Sequence, residues 1–416
     1  MFSHTKVVPL ESGELMIAAY DETQALPSDL IRPALLRIDD TGNPEWAMVY
    51  PLSGDRSAYV LGFDRIDDDF VMAGYARNEG LDDVVLWVMR VDSKGGVVWL
   101  RKYGTHGKSL VARALVVDRN NEIVLAGETD ARGNRDFMVM KLDGGGRLVW
   151  ERSFDRADED EFAFALTESL PGSYVVVGSG GAPASNGDIW VVELDSAGNP
   201  LGELTFESSG MDVAHDVITT AAGDFVLVGG TDSFGPVVDG TDKLFIRFTM
   251  SGAVSAWTYG FPGRWDDPAL AVMEGKTGDF FIAGKGFSPT SSLSTGEIIR
   301  TDAMGALVDY LAYGGSGGFN FDRFEDIDHT QGDEFVVTGS SVSANWVWHT
   351  NALWFVNANQ NGFIPGCPVT QNGLVTKPID FPGEHYPLET FELEPMEIES
   401  MVEPQELELD TWDICP

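Results

Sequence analysis

Four carboxylates, Glu161, Asp212, Asp267 and Asp322, stand at matching places in a chain that repeats itself, each just ahead of an apolar run. Asp158, Asp160 and Asp266 are near neighbours, and Arg56, Arg156, Arg264 and Arg323 recur in the same stretches. Acids and guanidinium groups gathered around one opening could hold a cation or a basic ligand. Two of the carboxylates at a suitable separation could instead run glycoside chemistry, one as acid and the other as base or nucleophile. The plain alternative is that they cap turns and solvate loops. A second group is aromatic. Trp346, Trp348 and His349 lie within Ser341-Val-Ser-Ala-Asn-Trp-Val-Trp-His-Thr350, with Trp265 at a nearby aligned position. Such a set could form a platform for a sugar or peptide, or it could bury one Trp in a long hairpin.

Other chemical signatures are thin. His4, His106, His215, His329, His349 and His385 are scattered, with no His-Glu-x-x-His and no paired metal-ligand spacing. Gly314-Gly-Ser-Gly-Gly318 matches Gly-x-Ser-x-Gly as text, but a nucleophile elbow needs a strand running into a helix. Asp158-Glu-Asp-Glu161 could chelate calcium, although no Asp-x-Asp-x-Asp-Gly loop accompanies it. Calcium is thus the one cofactor the acids suggest, and no organic cofactor site is evident.

The 416 residues carry 66 acidic and 27 basic side chains, a net charge of −39. So negative a chain argues against nucleic acid or an anionic membrane surface as partner. It fits self-repulsion that keeps a protein in solution, a high-salt milieu, or a cation-binding surface. No apolar run reaches the ~18 residues of a membrane-spanning helix. The opening Met1-Phe-Ser-His-Thr-Lys-Val-Val-Pro9 lacks the basic and apolar regions of a signal peptide. It leads almost directly into the first repeat, so a leader or upstream segment is expected to precede it.

The elements that must position these groups come from the repeat. A short apolar run ending in a small residue and Gly recurs as Asp69–Gly74, Glu122–Gly127, Ser173–Gly178, Asp224–Gly229, Asp279–Gly284 and Glu334–Gly339, with Glu14–Ala19 as the first copy. Successive copies end 55, 53, 51, 51, 55 and 55 residues apart. A period in this range marks units that bury their apolar faces only by stacking on neighbours. In the third unit the pattern predicts strands at 110–117, 122–126, 136–142 and 149–154, the last two joined by the hairpin turn Asp143-Gly-Gly-Gly-Arg147. Four short strands at this spacing make one propeller blade.

The hairpin is the most regular part. Asp39, Asp92 and Asp143 open Asp-x-x-Gly-x-x-x-Trp turns that lead to Trp46, Trp99 and Trp150, and Ser251-Gly252 leads to Trp257. The pattern is degenerate at Asp195-Ser-Ala-Gly198 and Asp302-Ala-Met-Gly305, which lack the Trp. Asp caps the turn, Gly takes the positive φ, and Trp packs between adjacent sheets in preference to serving a ligand. The pattern resembles the bacterial seven-bladed β-propeller repeat proteins of secreted and surface-attached chains, over residues 1 to about 369. The turn is also loosely similar to the Trp-docking motif of quinoprotein propellers and to the Asp-box of sialidases. It departs from the Asp-box, which needs Asp-x-Gly-x-x-Trp. The resemblance implies architecture and location more than chemistry.

Ring closure is the open point: the first unit starts at its innermost strand, and Gly362-Phe-Ile-Pro-Gly-Cys-Pro-Val369 stands where a last fourth strand belongs. Residues 370–416 break the period, with 12 acidic residues against one Lys and Pro378, Pro382, Pro387, Pro395 and Pro404. Acid and apolar residues alternate in Glu389-Thr-Phe-Glu-Leu-Glu394 and Glu406-Leu-Glu-Leu-Asp410, as in an extended strand with one wet face. The charge and prolines fit a disordered linker equally well. The only cysteines, Cys367 and Cys415, bracket this tail and are expected to form a disulfide staple, which would imply an oxidising compartment.

The expectation is an all-β, seven-bladed propeller of four-stranded blades at 1–369 with an acidic, Pro-rich tail at 370–416. Its loops after the second strands differ most between units, and variable loops on a fixed scaffold carry function. The favoured role is a non-catalytic extracellular or cell-surface module that binds protein or glycan, with no nucleic-acid partner and no membrane insertion. The alternative is a carbohydrate-active hydrolase or lyase working through carboxylates at the mouth.

Overall fold

The computed structural model describes residues 2–21, 31–52, 55–78, 84–104, 108–156, 159–180, 187–234, 240–260, 267–287, 294–313, 322–330, 334–341 and 352–363, and the backbone of five short strands between 375 and 406. They form seven antiparallel sheets, the architecture of a seven-bladed β-propeller. Among the described residues no helix is long and apolar enough to cross a membrane.

The first sheet comprises β1 (Phe2–Pro9), β2 (Leu15–Asp21), β3 (Arg32–Ile38) and β4 (Pro44–Val49), paired in chain order. The second has β5 (Asp55–Ile66), β6 (Asp69–Asn78), β7 (Val84–Val91) and β8 (Val97–Gly104), and the third β9 (Leu110–Val117), β10 (Ile123–Thr129), β11 (Asp136–Leu142) and β12 (Leu148–Asp155). The fourth follows the same order with β13 (Glu161–Glu168), β14 (Tyr174–Gly180), β15 (Asp188–Leu194) and β16 (Pro200–Phe206). The fifth has β17 (Asp212–Thr219), β18 (Phe225–Thr231), β19 (Asp242–Thr249) and β20 (Gly252–Gly260). The sixth has β21 (Ala269–Glu274), β22 (Phe280–Phe287), β23 (Ser294–Thr301) and β24 (Leu307–Tyr313). The seventh shows three described strands, β25 (Arg323–His329), β26 (Phe335–Ser341) and β27 (Ala352–Ala358); residues 364–369, the expected fourth strand, lie outside the described residues.

The chain separates into two compact units, the first built on β1–β14 and the second on β17–β27. In each, the second and third strands of the inner sheets are largely apolar on both faces because a sheet of the same unit covers each side. All seven residues of β10 and of β11 are buried. In the first unit one cluster joins Trp87, Met89, Phe63 and Phe70 to Met16 and Leu35, and another joins Ile66 and Val88 to Leu125 and Met140. The second unit has matching layers around Phe245, Phe280 and Ile299, and around Phe281, Phe324 and Trp354. Burying one such large side chain contributes about 1.5–3 kcal/mol.

The hairpins behave as their residues dictate. Asp39 Oδ1 accepts from the Thr41 and Asn43 amides at 2.9 and 2.7 Å, and Asp92 and Asp143 repeat the arrangement. Asp195 and Asp302, in the copies without Trp, cap their turns the same way. The Trp residues pack between sheets: Trp150 Nε1 donates to Ser196 O at 3.0 Å and Trp257 Nε1 to Met304 O at 2.7 Å, each in the next sheet's hairpin.

The described parts of the tail are strands. β28 (Val375–Pro378) pairs antiparallel with β20, β29 (Gly383–Glu384) with β16, and β30 (Glu389–Phe391) with β12. β31 (Met396–Glu399) pairs with β8, and β32 (Gln405–Glu406) with β4. Five outer edges thus gain a fifth strand, in the reverse of chain order. The physical reason is the edge itself, a row of unpaired amides and carbonyls that extended chain can satisfy.

Candidate functional site

The four predicted acids sit at sheet junctions and all are buried. Glu161 opens β13 and Asp212 opens β17, both 0% exposed, while Asp267 lies two residues before β21 and Asp322 immediately precedes β25. Three are pinned by one repeated hydrogen bond to the residue ahead of the preceding sheet's third strand. Glu161 N donates to Arg135 O at 2.6 Å, Asp212 N to Gly187 O at 2.9 Å, and Asp267 N to Thr241 O at 2.8 Å. That third strand begins with Asp136, Asp188 or Asp242, so each of these junctions carries a second buried Asp. Sequence reasoning took Asp136 only as a strand start; its signal was the spacing of 25, 24 and 25 residues to Glu161, Asp212 and Asp267.

The junctions differ in how the acids are compensated. Asp212 Oδ2 accepts from the hydroxyls of Ser208 and Ser233, and burial raises its pKa to about 6 against those donors. Asp322 Oδ1 accepts from Ser341 Oγ at 2.6 Å. Asp267, pushed by burial up to about 7, is steadied by the field of Lys243. The Lys243 ammonium is itself buried, paired with Glu297 at 2.7 Å and donating to Lys285 O. These are the arrangements of structural carboxylates.

The junction of the third and fourth sheets is different. Asp136, Asp155 and Glu161 each place a carboxylate oxygen within 4.8 Å of the other two, and all three residues are buried. Asp155 ends β12, one step beyond the Phe137–Phe154 register pair, and so faces Asp136 across the strands. Arg132 pairs with Asp155 Oδ2 at 3.0 Å, while Asp155 Oδ1 has no hydrogen-bond partner. Neither oxygen of Glu161 makes a hydrogen bond of normal geometry, although the Arg156 amide and guanidinium lie close enough to favour its charge. Burial, then the charges of Asp155 and Asp136, push the Glu161 carboxyl up to about 9. Nearby, Asp160 is occupied, accepting from Arg135 N at 2.9 Å. Three hard oxygen donors with no nitrogen or sulfur suit a hard cation such as Ca²⁺ and no organic cofactor.

Several expectations are placed elsewhere or lie outside the described residues. Trp346, Trp348, His349, Trp265, Arg264, Asp158, Asp266, the Gly314–Gly318 run, Cys367 and Cys415 are outside them, as is the Arg56 side chain. Arg323 pairs with Glu325 at 2.5 Å on its own strand. A shallow pocket among Gly275, Asp279, Arg300, His329 and Gln360 is lined by groups already engaged: Arg300 pairs with Asp279 at 2.6 Å and His329 Nε2 meets Glu274 O at 2.7 Å.

A scan with protein-family models finds no match to this sequence. A comparison with curated proteins also finds none. Among solved structures, a protein of unknown function from Bacteroides caccae is similar with TM-score 0.42 and 12% identity, over 67% of this chain and 89% of that one. Sqt1 from Chaetomium thermophilum gives 0.43 and 12%, over 81% and 92%. NanB sialidase from Streptococcus pneumoniae gives 0.45 and 8%, over 89% and 69%. Likenesses this distant carry no argument about function.

Proposed function

We propose that the chain is a non-catalytic binding and scaffold propeller, extracellular or at a cell surface, whose loops after the second strands recognise a protein or glycan. The observation that supports this reading is the burial of Glu161, Asp212, Asp267 and Asp322. A glycosidase needs two carboxylates that reach the scissile bond. Here the acids at the aligned positions are enclosed in sheet junctions, where Asp212 and Asp322 already accept hydroxyl hydrogen bonds. What remains variable between units is the connection after each second strand, including residues 342–351 with Trp346, Trp348 and His349. The extracellular setting rests on the resemblance and on the pair Cys367 and Cys415.

A glycan array probed with the full chain tests it. Binding that falls at least tenfold in the Trp346→Ala, Trp348→Ala double variant supports the reading. Turnover of a glycoside substrate that is abolished by Asp212→Asn or Asp267→Asn would overturn it.

A further inference from the structure

We propose that Asp136, Asp155 and Glu161 form a binding site for one Ca²⁺ ion at the junction of the third and fourth sheets, each lending a carboxylate oxygen. The site is independent of the loops invoked above for partner recognition. Three carboxylates alone would not establish it; the decisive feature is Glu161. Its side chain is 0% exposed, is held in place by its own amide on Arg135 O, and presents two oxygens that make no hydrogen bond of normal geometry. A buried carboxylate without donors is costly in either charge state. Asp155 adds Oδ1, equally without a hydrogen-bond partner, because Arg132 engages only Oδ2.

The dimensions accommodate the ion. Oxygens bound to Ca²⁺ lie about 2.3–2.6 Å from it, so two on opposite sides stand up to about 5 Å apart. The mutual limit of 4.8 Å for the three carboxylates falls inside that span. Mg²⁺ gives up its water reluctantly and is usually held by only one or two carboxylates.

The other junctions show how the same place is closed when no ion is meant for it. At the end of β20 the residue in the role of Asp155 is Gly260, and a Cβ there would collide with the Asp242 carboxylate. Lys243 supplies the positive charge beside Asp242 and Asp267. At the next junction towards the N-terminus, two serine hydroxyls donate to Asp212 Oδ2, although its Oδ1 has no hydrogen-bond partner. Only between the third and fourth sheets, among the described residues, is a third acid added without a lysine or hydroxyl donor to it. Arg132, Arg156 and Asp160 are the charged groups around the cluster, with Arg135 behind it on the same loop.

Calorimetric titration of the chelator-treated full chain with CaCl₂, in 0.15 M salt to screen weak surface binding, tests the site. The expected result is one saturable Ca²⁺ site of 1:1 stoichiometry that persists at this ionic strength, which separates it from binding to exposed surface carboxylates. Glu161→Gln and Asp155→Asn should weaken Ca²⁺ binding by about 100-fold or more, while the exposed Asp68→Asn leaves it unchanged. Glu161→Gln keeps the shape of the side chain and is the variant expected to fold without perturbation. No saturable site in the wild type, or wild-type affinity in Glu161→Gln, would overturn the proposal.

Discussion

Glu161 shows how one side chain can be visible in a sequence and its role hidden. The repeat places it with Asp212, Asp267 and Asp322 by simple alignment, but a one-letter acid ahead of a strand reads the same whether it faces water or a neighbouring sheet. Burial comes from the preceding sheet, whose third strand is 25 residues earlier, and so is a tertiary property. Asp155 was harder still, since it belongs to no motif and matters only through the strand pairing of β11 and β12. The pKa shift gives a testable sign. With a folded value of about 9 against an ordinary value of 4.5, folded Glu161 keeps a proton that the unfolded chain has lost between those pH values. Its stabilising contribution is complete below 4.5 and declines as pH rises to 9, by at most about 1.4 kcal/mol per pH unit. Glu151, raised by burial to about 8, and Asp267, raised to about 7, act in the same direction. Thermal unfolding in chelator should therefore show the midpoint falling from pH 6.5 to pH 9, with a shallower fall in Glu161→Gln. A midpoint that rises over this range would contradict the burial of these acids.

At the level of the hairpin, most of the structure was legible and one part was not. Asp195 and Asp302 still cap turns that have lost their Trp, so the capping Asp and the positive-φ Gly are the conservative core of the motif within this chain. The Trp is a packing addition, since Gly198 and Gly305 lie against Trp150 and Trp257 of the preceding sheet. What the pattern did not show is a second tie from the same outer strands. The hydroxyls of Tyr50 and Tyr103 donate to the hairpin carbonyls of Gly95 and Gly146, and those of Tyr259 and Tyr313 to Gly305 and Gly362. A tyrosine in a strand reads as generic β-former, so its hydroxyl partner in another sheet has no local signature. Gly146 has φ +78°, and a Cβ on it would lie 2.8 Å from Arg101 Cδ and 3.0 Å from the Trp99 ring. Gly146→Ala should cost about 1–3 kcal/mol through strain and contact. Tyr103→Phe should cost only about 0.5–1.5 kcal/mol for the lost hydrogen bond. Denaturant midpoints of the two variants check the order, and the reverse order would place the restraint in the hydroxyl.

Across the whole molecule, the periodicity revealed the sheets because each repeat is a local pattern, and it failed at the tail because the tail has no period of its own. The alternation in Glu389–Glu394 was compatible with a strand, but only the waiting edges of β4, β8, β12, β16 and β20 make it one. Deleting residues 370–416 should leave those edges bare, lower the unfolding midpoint and promote self-association through edge pairing. Size-exclusion chromatography and thermal scans of the shortened chain measure both, and an unchanged, monodisperse product would mean the fifth strands contribute nothing.

The reversed lacing also sets a timetable. A ribosome releases β4 some 350 residues before it releases β32, the strand that pairs with it. The first sheet to be made is therefore the last to be finished, and contacts so remote in sequence form slowly. Until the final residues emerge, every completed sheet from the first to the fifth waits with an open flank, and a nascent chain of this kind is exposed to its neighbours in order of age.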